Sequence, residues 1–147
     1  MSDRTGGLAD VTAEKVCRLS QSVTSAKHLK PIVKAFLDEC RPELGARILD
    51  IGCGSGETVL ALRDLGFEAH GIEVAFKMPK AENTARIEAL KADGALTLFS
   101  DNDFTYPHAD TFFDYAICDQ VVEHIEHLDI FSNEASRVLR PGGNLVC

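Results

Sequence analysis

One ten-residue stretch constrains this chain more than any other: Arg47-Ile48-Leu49-Asp50-Ile51-Gly52-Cys53-Gly54-Ser55-Gly56. Its first half is a short, apolar, partly β-branched run of the kind that forms a buried parallel strand. Three glycines then occupy alternate positions, and Thr58-Val59-Leu60-Ala61-Leu62 takes up helical spacing. Strand, glycine turn and helix make the first crossover of a doubly wound α/β sheet. Side chains in that turn would keep a ligand off the backbone, and some of its positions need φ > 0. The free N–H groups of the turn and of the helix start are expected to face the ligand.

The glycine spacing narrows the ligand. A dinucleotide fingerprint has the form G-x-G-x-x-G. Aligned on Gly52 and Gly54, its third glycine falls on Glu57, whose carboxylate would repel a pyrophosphate. The spacing here is G-x-G-x-G with Asp50 two residues ahead, which suits a ligand carrying an ammonium as well as a carboxylate. Glu73 closes the next apolar run, His70-Gly71-Ile72-Glu73-Val74. A carboxylate there can accept both hydroxyls of a ribose through charge-assisted hydrogen bonds, each of about 1.5–3 kcal/mol.

With those residues in place the chain resembles the class I S-adenosylmethionine-dependent methyltransferases, and within them the small-molecule branch that includes ubiquinone and menaquinone biosynthesis enzymes. The first motif of that family is similar to Ile48 through Gly56, and its ribose acid falls on Glu73. A third motif resembles Tyr106-Pro107-His108-Ala109-Asp110-Thr111-Phe112-Phe113-Asp114. A fourth covers Val122-Glu123-His124-Ile125, and a fifth Arg137-Val138-Leu139-Arg140-Pro141-Gly142-Gly143. Five motifs in the right order, spread over about Lys30 to Cys147, carry the likeness.

The resemblance implies S-adenosyl-L-methionine as cofactor and methyl transfer to a small-molecule acceptor. It implies cofactor contacts from Asp50, Gly52, Cys53, Gly54, Gly56, Glu73 and Val74. It puts an adenine-binding pair in the loop after the third strand, which counting back from Tyr106 places on Asn102 and Asp103, with Asp101 as the one-residue alternative. Asp119 stands where the carboxyl edge of the sheet meets the ligand. His124 matches the family's glutamate–histidine pair beside the transferred methyl, and is either a general base or a structural hydrogen-bonding group. His108 replaces an aromatic residue often found in the third motif. Helices leading into such a domain lie over the cofactor, which brings Lys27 or His28 toward the methionine carboxylate. Two other functions stand beside this one: a non-catalytic or incomplete cofactor-binding domain, and a nicotinamide-dependent oxidoreductase of related fold.

The expected fold is a doubly wound, mostly parallel α/β sheet of order 3-2-1-4-5, preceded by helices. Residues 1–45 form an N-terminal helical segment and residues 46–147 the cofactor domain. A first helix is expected from Leu8 to Val23. In a second, Leu29, Ile32, Val33, Phe36, Leu37 and Cys40 share one face, with Pro31 in its first turn or kinking it. Glu68–Val74 and Ala95–Phe99 read as strands, flanking a helix from Pro79 to Lys91 that turns Ala81, Ala85, Ala89 and Leu90 inward. Phe113–Cys118 is the fourth strand. Val121 to Leu139 is helical with a break near His127, and Pro141-Gly142-Gly143 forces a turn before a fifth strand at Asn144. The family's sheet continues to order 3-2-1-4-5-7-6. The chain therefore reads as C-terminally truncated, with Leu145 and Val146 on an exposed edge that invites self-association.

Net charge decides what else to leave out. At −8 over 147 residues, with no Lys/Arg cluster, the chain is not built for non-specific nucleic-acid binding. No apolar run approaches a membrane span, and no signal-like segment opens the sequence, so the cytoplasm is the expected compartment. Five cysteines (Cys17, Cys40, Cys53, Cys118 and Cys147) show no C-x-x-C spacing. They read as reduced thiols, with Cys53 and Cys118 as small core fillers. His124 and His127 lie three apart, yet H-E-x-x-H is absent and no metal site is expected.

Overall fold

A computed structural model describes residues 29–74, 80–99 and 105–147. The Leu8–Val23 helix, Lys27 and His28 lie outside the described residues. Five parallel strands form one sheet: β1 (Arg47–Ile51), β2 (Glu68–Val74), β3 (Leu96–Phe99), β4 (Phe113–Cys118) and β5 (Leu139–Val146). Their order is β3-β2-β1-β4-β5, as expected for a doubly wound sheet. β1 is central, and its last four residues are all buried because both faces of the sheet are covered. Asp50 is in register with Gly71 of β2 and Ile117 of β4. The chain moves to opposite sides of β1 for β2 and β4. That reversal opens a crevice at the carboxyl end of β1, where the glycine turn begins.

Three helices cover one face: α1 (Pro31–Cys40), α2 (Glu57–Asp64) and α3 (Thr84–Ala92). Pro31 opens α1 rather than kinking it, since its missing N–H falls where no intrahelical bond is needed. Val33 and Phe36 of α1 are buried against Val59 and Leu62 of α2 and against Ile48 and Ile117 of the sheet. The helix expected from Pro79 is described only from a short 3-10 turn at Ala81–Asn83. Its buried residues are Ile87 and Leu90, while Ala81, Ala85 and Ala89 are exposed. The larger branched side chains remove more apolar area from water than the alanine stripe would, and they set the rotation of the helix. Two glycines let this layer approach the sheet. A Cβ on Gly71 would lie 2.6 Å from Cys53 Sγ and 2.8 Å from Val59, and one on Gly56 would lie 2.3 Å from Leu90 Cδ1.

The other face is covered by α4 (Leu128–Val138), which buries Phe131, Ala135 and Val138. The expected break before it is real: a 3-10 turn at Val122–His124 precedes α4, which starts at Leu128. β5 departs from expectation. Its pairing begins at Leu139, opposite Phe113, because Leu139 is itself buried. β4 then advances to Tyr115 while β5 advances to Asn144, so Pro141-Gly142-Gly143 is a bulge inside the strand instead of a turn ahead of it. Among the described residues β5 is one edge of the sheet and β3 the other, and Leu145 is exposed on β5.

A short loop, 105–112, leads into β4 and is fastened to α4 by one arginine. Arg137 donates to the carbonyls of Tyr106 and His108, both at 2.9 Å, and to Asp110 Oδ1 at 2.7 Å. It also bonds Glu134 at 2.8 Å and 2.9 Å, and Glu134 Oε2 accepts the Tyr106 N–H. The Arg137 bond holds the Glu134 carboxyl below its ordinary range. Arg137→Ala is expected to lower stability by about 2 kcal/mol, a value already reduced for partial solvent screening. Arg137→Lys should recover only part of it, because an ammonium lacks the planar fork. Urea unfolding of the three proteins measures this, and equal midpoints would dismiss the clamp.

Candidate functional site

The crevice at the end of β1 collects the acidic residues. Asp50 is the penultimate residue of β1, Glu73 that of β2, and Asp119 follows β4 directly. Asp50 is 3 % exposed and Glu73 5 %, so two carboxyl groups are buried on adjacent strands, Glu73 two residues beyond the partner of Asp50. Asp50 Oδ2 has no hydrogen-bond partner among the described residues. Burial is the main reason its carboxyl is pushed up to about 7, with Asp119 and Glu73 adding repulsion and Lys30 opposing it. The Lys30 ammonium stands 3.4 Å from Asp119. A buried, unpartnered carboxyl oxygen beside other acids is a receptor for a cation.

The glycine turn wraps around this pocket. Gly52, Gly54 and Gly56 all have positive φ, at 75°, 54° and 79°. A Cβ on Gly52 would strike Val121 at 2.3 Å, so this residue packs β1 against the segment after β4. A Cβ on Gly54 would meet nothing within 4 Å, so this part of the turn is open for a ligand to lie against the backbone. The turn's amides are less free than the spacing suggests. Gly52 and Cys53 both donate to Ile72 O, and Gly56 donates to Cys53 O. Gly54 donates to Glu73 Oε2 at 2.7 Å. What stays available is the start of α2, whose N-cap is Gly56 and which has no side-chain cap.

Glu73 is therefore structural as well as positioned for a ligand. Its Oε1 accepts the N–H of Val74 at 2.8 Å while Oε2 holds Gly54. Val74 is half-buried beside it. Cys53 is buried, and desolvation, reinforced by Asp50 and Glu73, pushes its thiol up. The Cys53 side chain fills the core against Gly71 and its backbone alone belongs to the turn. Asn102 and Asp103, with Asp101, lie outside the described residues. His124 is on the 3-10 turn after β4, with its side chain 76 % exposed and Nε2 4.0 Å from Glu123.

Sequence reasoning overlooked Lys30 and Val121. Lys30 immediately precedes Pro31 at the helix start, and that position was the available signal for a side chain reaching back over the sheet. The histidines also need comment. His108 is pushed down to about 4, first by burial and then by His70 and Arg137. Its Nδ1 and that of His70 are buried without partners among the described residues. The two rings pack edge-on with centroids 5.8 Å apart, close to Phe112 and Phe113. Among the described residues no group of three or more His, Cys, Asp or Glu is arranged to hold a metal ion, and no helix is long and apolar enough to cross a membrane.

Comparison with known proteins identifies the family and the fold. The family described as "Methyltransferase domain" matches residues 49–147. The human mitochondrial ubiquinone biosynthesis O-methyltransferase is 34 % identical over 112 residues, covering 71 % of this chain and 29 % of that protein. The Thiobacillus denitrificans ubiquinone biosynthesis O-methyltransferase is 26 % identical over 117 residues, covering 78 % of this chain and 49 % of its own length. The chain thus spans at most about half of these relatives. A crystal structure described as a putative S-adenosyl-L-methionine-dependent methyltransferase from Methanococcus maripaludis superposes with TM-score 0.59 at 16 % identity, covering 99 % of this chain and 66 % of the other. At that identity the likeness concerns the fold.

Proposed function

The chain belongs to the methyltransferase domain family, and from that premise we propose that it binds S-adenosyl-L-methionine in the crevice above β1 and serves methyl transfer to a small-molecule acceptor. The observation that carries this reading is Asp50 Oδ2, buried and unpartnered beside the open side of Gly54. A ligand ammonium meets the need of that oxygen, and it draws the carboxyl back to its ionised form. A pyrophosphate would instead face Asp50, Glu73 and Asp119 with like charge.

The chain's other residues fit the rest of the ligand. Glu73, which accepts the Gly54 and Val74 N–H groups, is the carboxylate to which ribose hydroxyls would donate. Val74 and the loop holding Asn102 and Asp103 would then flank the adenine. Gly54 lets the ligand lie against backbone, and Lys30 holds Asp119 at the pocket mouth. S-adenosyl-L-methionine brings an already activated methyl group to such a site. The protein's part is to hold donor and acceptor in line and to exclude water. His124, exposed beside Glu123, would take a proton from an acceptor that has one to lose.

Titration calorimetry tests the cofactor. S-adenosyl-L-methionine or its demethylated product should bind with micromolar affinity, about −8 kcal/mol, and NAD should not. Tighter binding of NAD would overturn the reading. For the base, His124→Gln should lower turnover by about 100-fold at unchanged cofactor affinity. Turnover equal to that of the unaltered chain would remove His124 from the chemistry.

A further inference from the structure

Cysteine spacing in the sequence gives no hint of pairing, but the sheet creates a pair. β4 and β5 are parallel and in register at Ile117 and Val146. The next residues on the two strands are Cys118 and Cys147, which therefore lie side by side on one face. Cys147 is near enough to be among the causes that push the Cys118 thiol up, after burial. Neighbouring strands run about 4.7–4.9 Å apart, inside the Cα···Cα range of about 4.4–6.8 Å that a disulfide accepts. Cys118 is 2 % exposed and Cys147 is exposed. This pairing does not depend on the methyltransferase reading.

We propose that Cys118 and Cys147 form a reversible redox dithiol, which closes to a disulfide across β4 and β5 when a peroxide oxidises the exposed thiol. The division of labour follows from burial. Desolvation first, and the neighbouring Cys147 second, push the Cys118 thiol up to about 12, so it is a poor first nucleophile. Cys147 meets solvent and reacts first. Its thiolate attacks one oxygen of hydrogen peroxide, the O–O bond breaks, and the departing hydroxide takes up a proton to become water. Cys147 is then a sulfenic acid. The Cys118 sulfur attacks Cys147 Sγ, an S–S bond forms, and the hydroxide displaced from sulfur takes the Cys118 proton as a second water. Two thiols have given two electrons to one peroxide. The bond lies in the wall of the crevice, because Cys118 pairs with Ile51 and immediately precedes Asp119.

The test uses the full chain, reduced and then exposed to a few equivalents of hydrogen peroxide. Oxidation should remove about two titratable thiols and about 2 Da of mass, and dithiothreitol should restore both. Digestion without reductant should yield a peptide joining Cys118 to Cys147. In Cys118→Ser that peptide should be absent, and Cys147 should gain oxygen instead. Cys147→Ser, an exposed substitution with little reason to disturb folding, should keep all its remaining thiols under the same treatment. A cross-link involving Cys17, Cys40 or Cys53 in place of this pair overturns the proposal. So does cross-linking only between chains, or a wild-type chain in which peroxide leaves both thiols free or adds oxygen without joining them.

Discussion

Asp50→Asn is expected to make the ligand-free chain more stable at neutral pH while costing it most of its affinity for S-adenosyl-L-methionine. The folded carboxyl is raised from 3.8 to about 7. Between those values the native state keeps a proton that the unfolded chain releases, so this group makes stability fall as pH rises. Over the window of about three units the loss reaches about 4 kcal/mol, at about 1.4 kcal/mol per unit. His108 acts in the opposite sense. Its folded value is lowered from 6.5 to about 4, so its contribution is complete above pH 6.5 and is lost as pH falls through 4. The two effects offset each other between pH 4 and 6.5 in the unaltered chain. Asparagine does not titrate, so the variant should show the His108 rise uncovered. The stability gap between the two proteins should open from near zero at pH 4 to about 3–4 kcal/mol at pH 7, less the cost of seating the amide N–H groups. Binding moves the other way. Losing the ionised partner of the ligand ammonium should weaken the cofactor by about 2–4 kcal/mol. Denaturant melts from pH 4 to 8 and calorimetry at pH 7.5 check both halves. Parallel pH profiles would refute the raised carboxyl, and equal affinities would refute the ammonium contact.

That Asp50 would lie buried near the carboxyl end of β1 was legible from the sequence, because an acid two residues before a glycine turn has to lie near the end of a buried strand. Strands β1, β2 and β4 were legible to the residue for a related reason: each is a short apolar run bounded by turn chemistry, with no competing helical period. The misreadings arose where long-range packing decides. The alanine stripe before Leu90 has a helical period, but Ile87 outweighs it once β3 and α2 are in place. Pro141-Gly142-Gly143 carries every local sign of a turn, yet burial of Leu139 against Phe113 pulls the strand back past it. The Gly52 and Cys53 amides looked free because their acceptor, Ile72 O, belongs to another strand. Cys118 and Cys147 looked unrelated for the same reason. Sequence distance hides register, and register is what brings them together.

Glu73→Ala should separate the two roles of this carboxylate, support of the glycine turn and contact with the ligand. The residue is 5 % exposed and accepts the N–H groups of Gly54 and Val74. Removing it leaves two donors to find water or go unpaired, a cost of about 1–3 kcal/mol of stability. The Gly54 end of the turn should loosen most, because Glu73 is the side chain that holds its amide. Cofactor affinity should fall further, by about 2–4 kcal/mol, since the ribose hydroxyls lose a charged acceptor and the turn loses its shape. Glu73→Gln divides these effects. Its one amide oxygen can accept the Gly54 or the Val74 N–H but not both, so stability should fall by about half as much as in alanine, while the loss of charge should weaken the cofactor by about 1–2 kcal/mol. Calorimetry and thermal melting of the three proteins give the answer together. Glutamine matching alanine in both measurements would make the charge the whole effect and the amide bond irrelevant. Alanine binding S-adenosyl-L-methionine as tightly as glutamate, with its fold intact, would move the ribose away from β2 altogether.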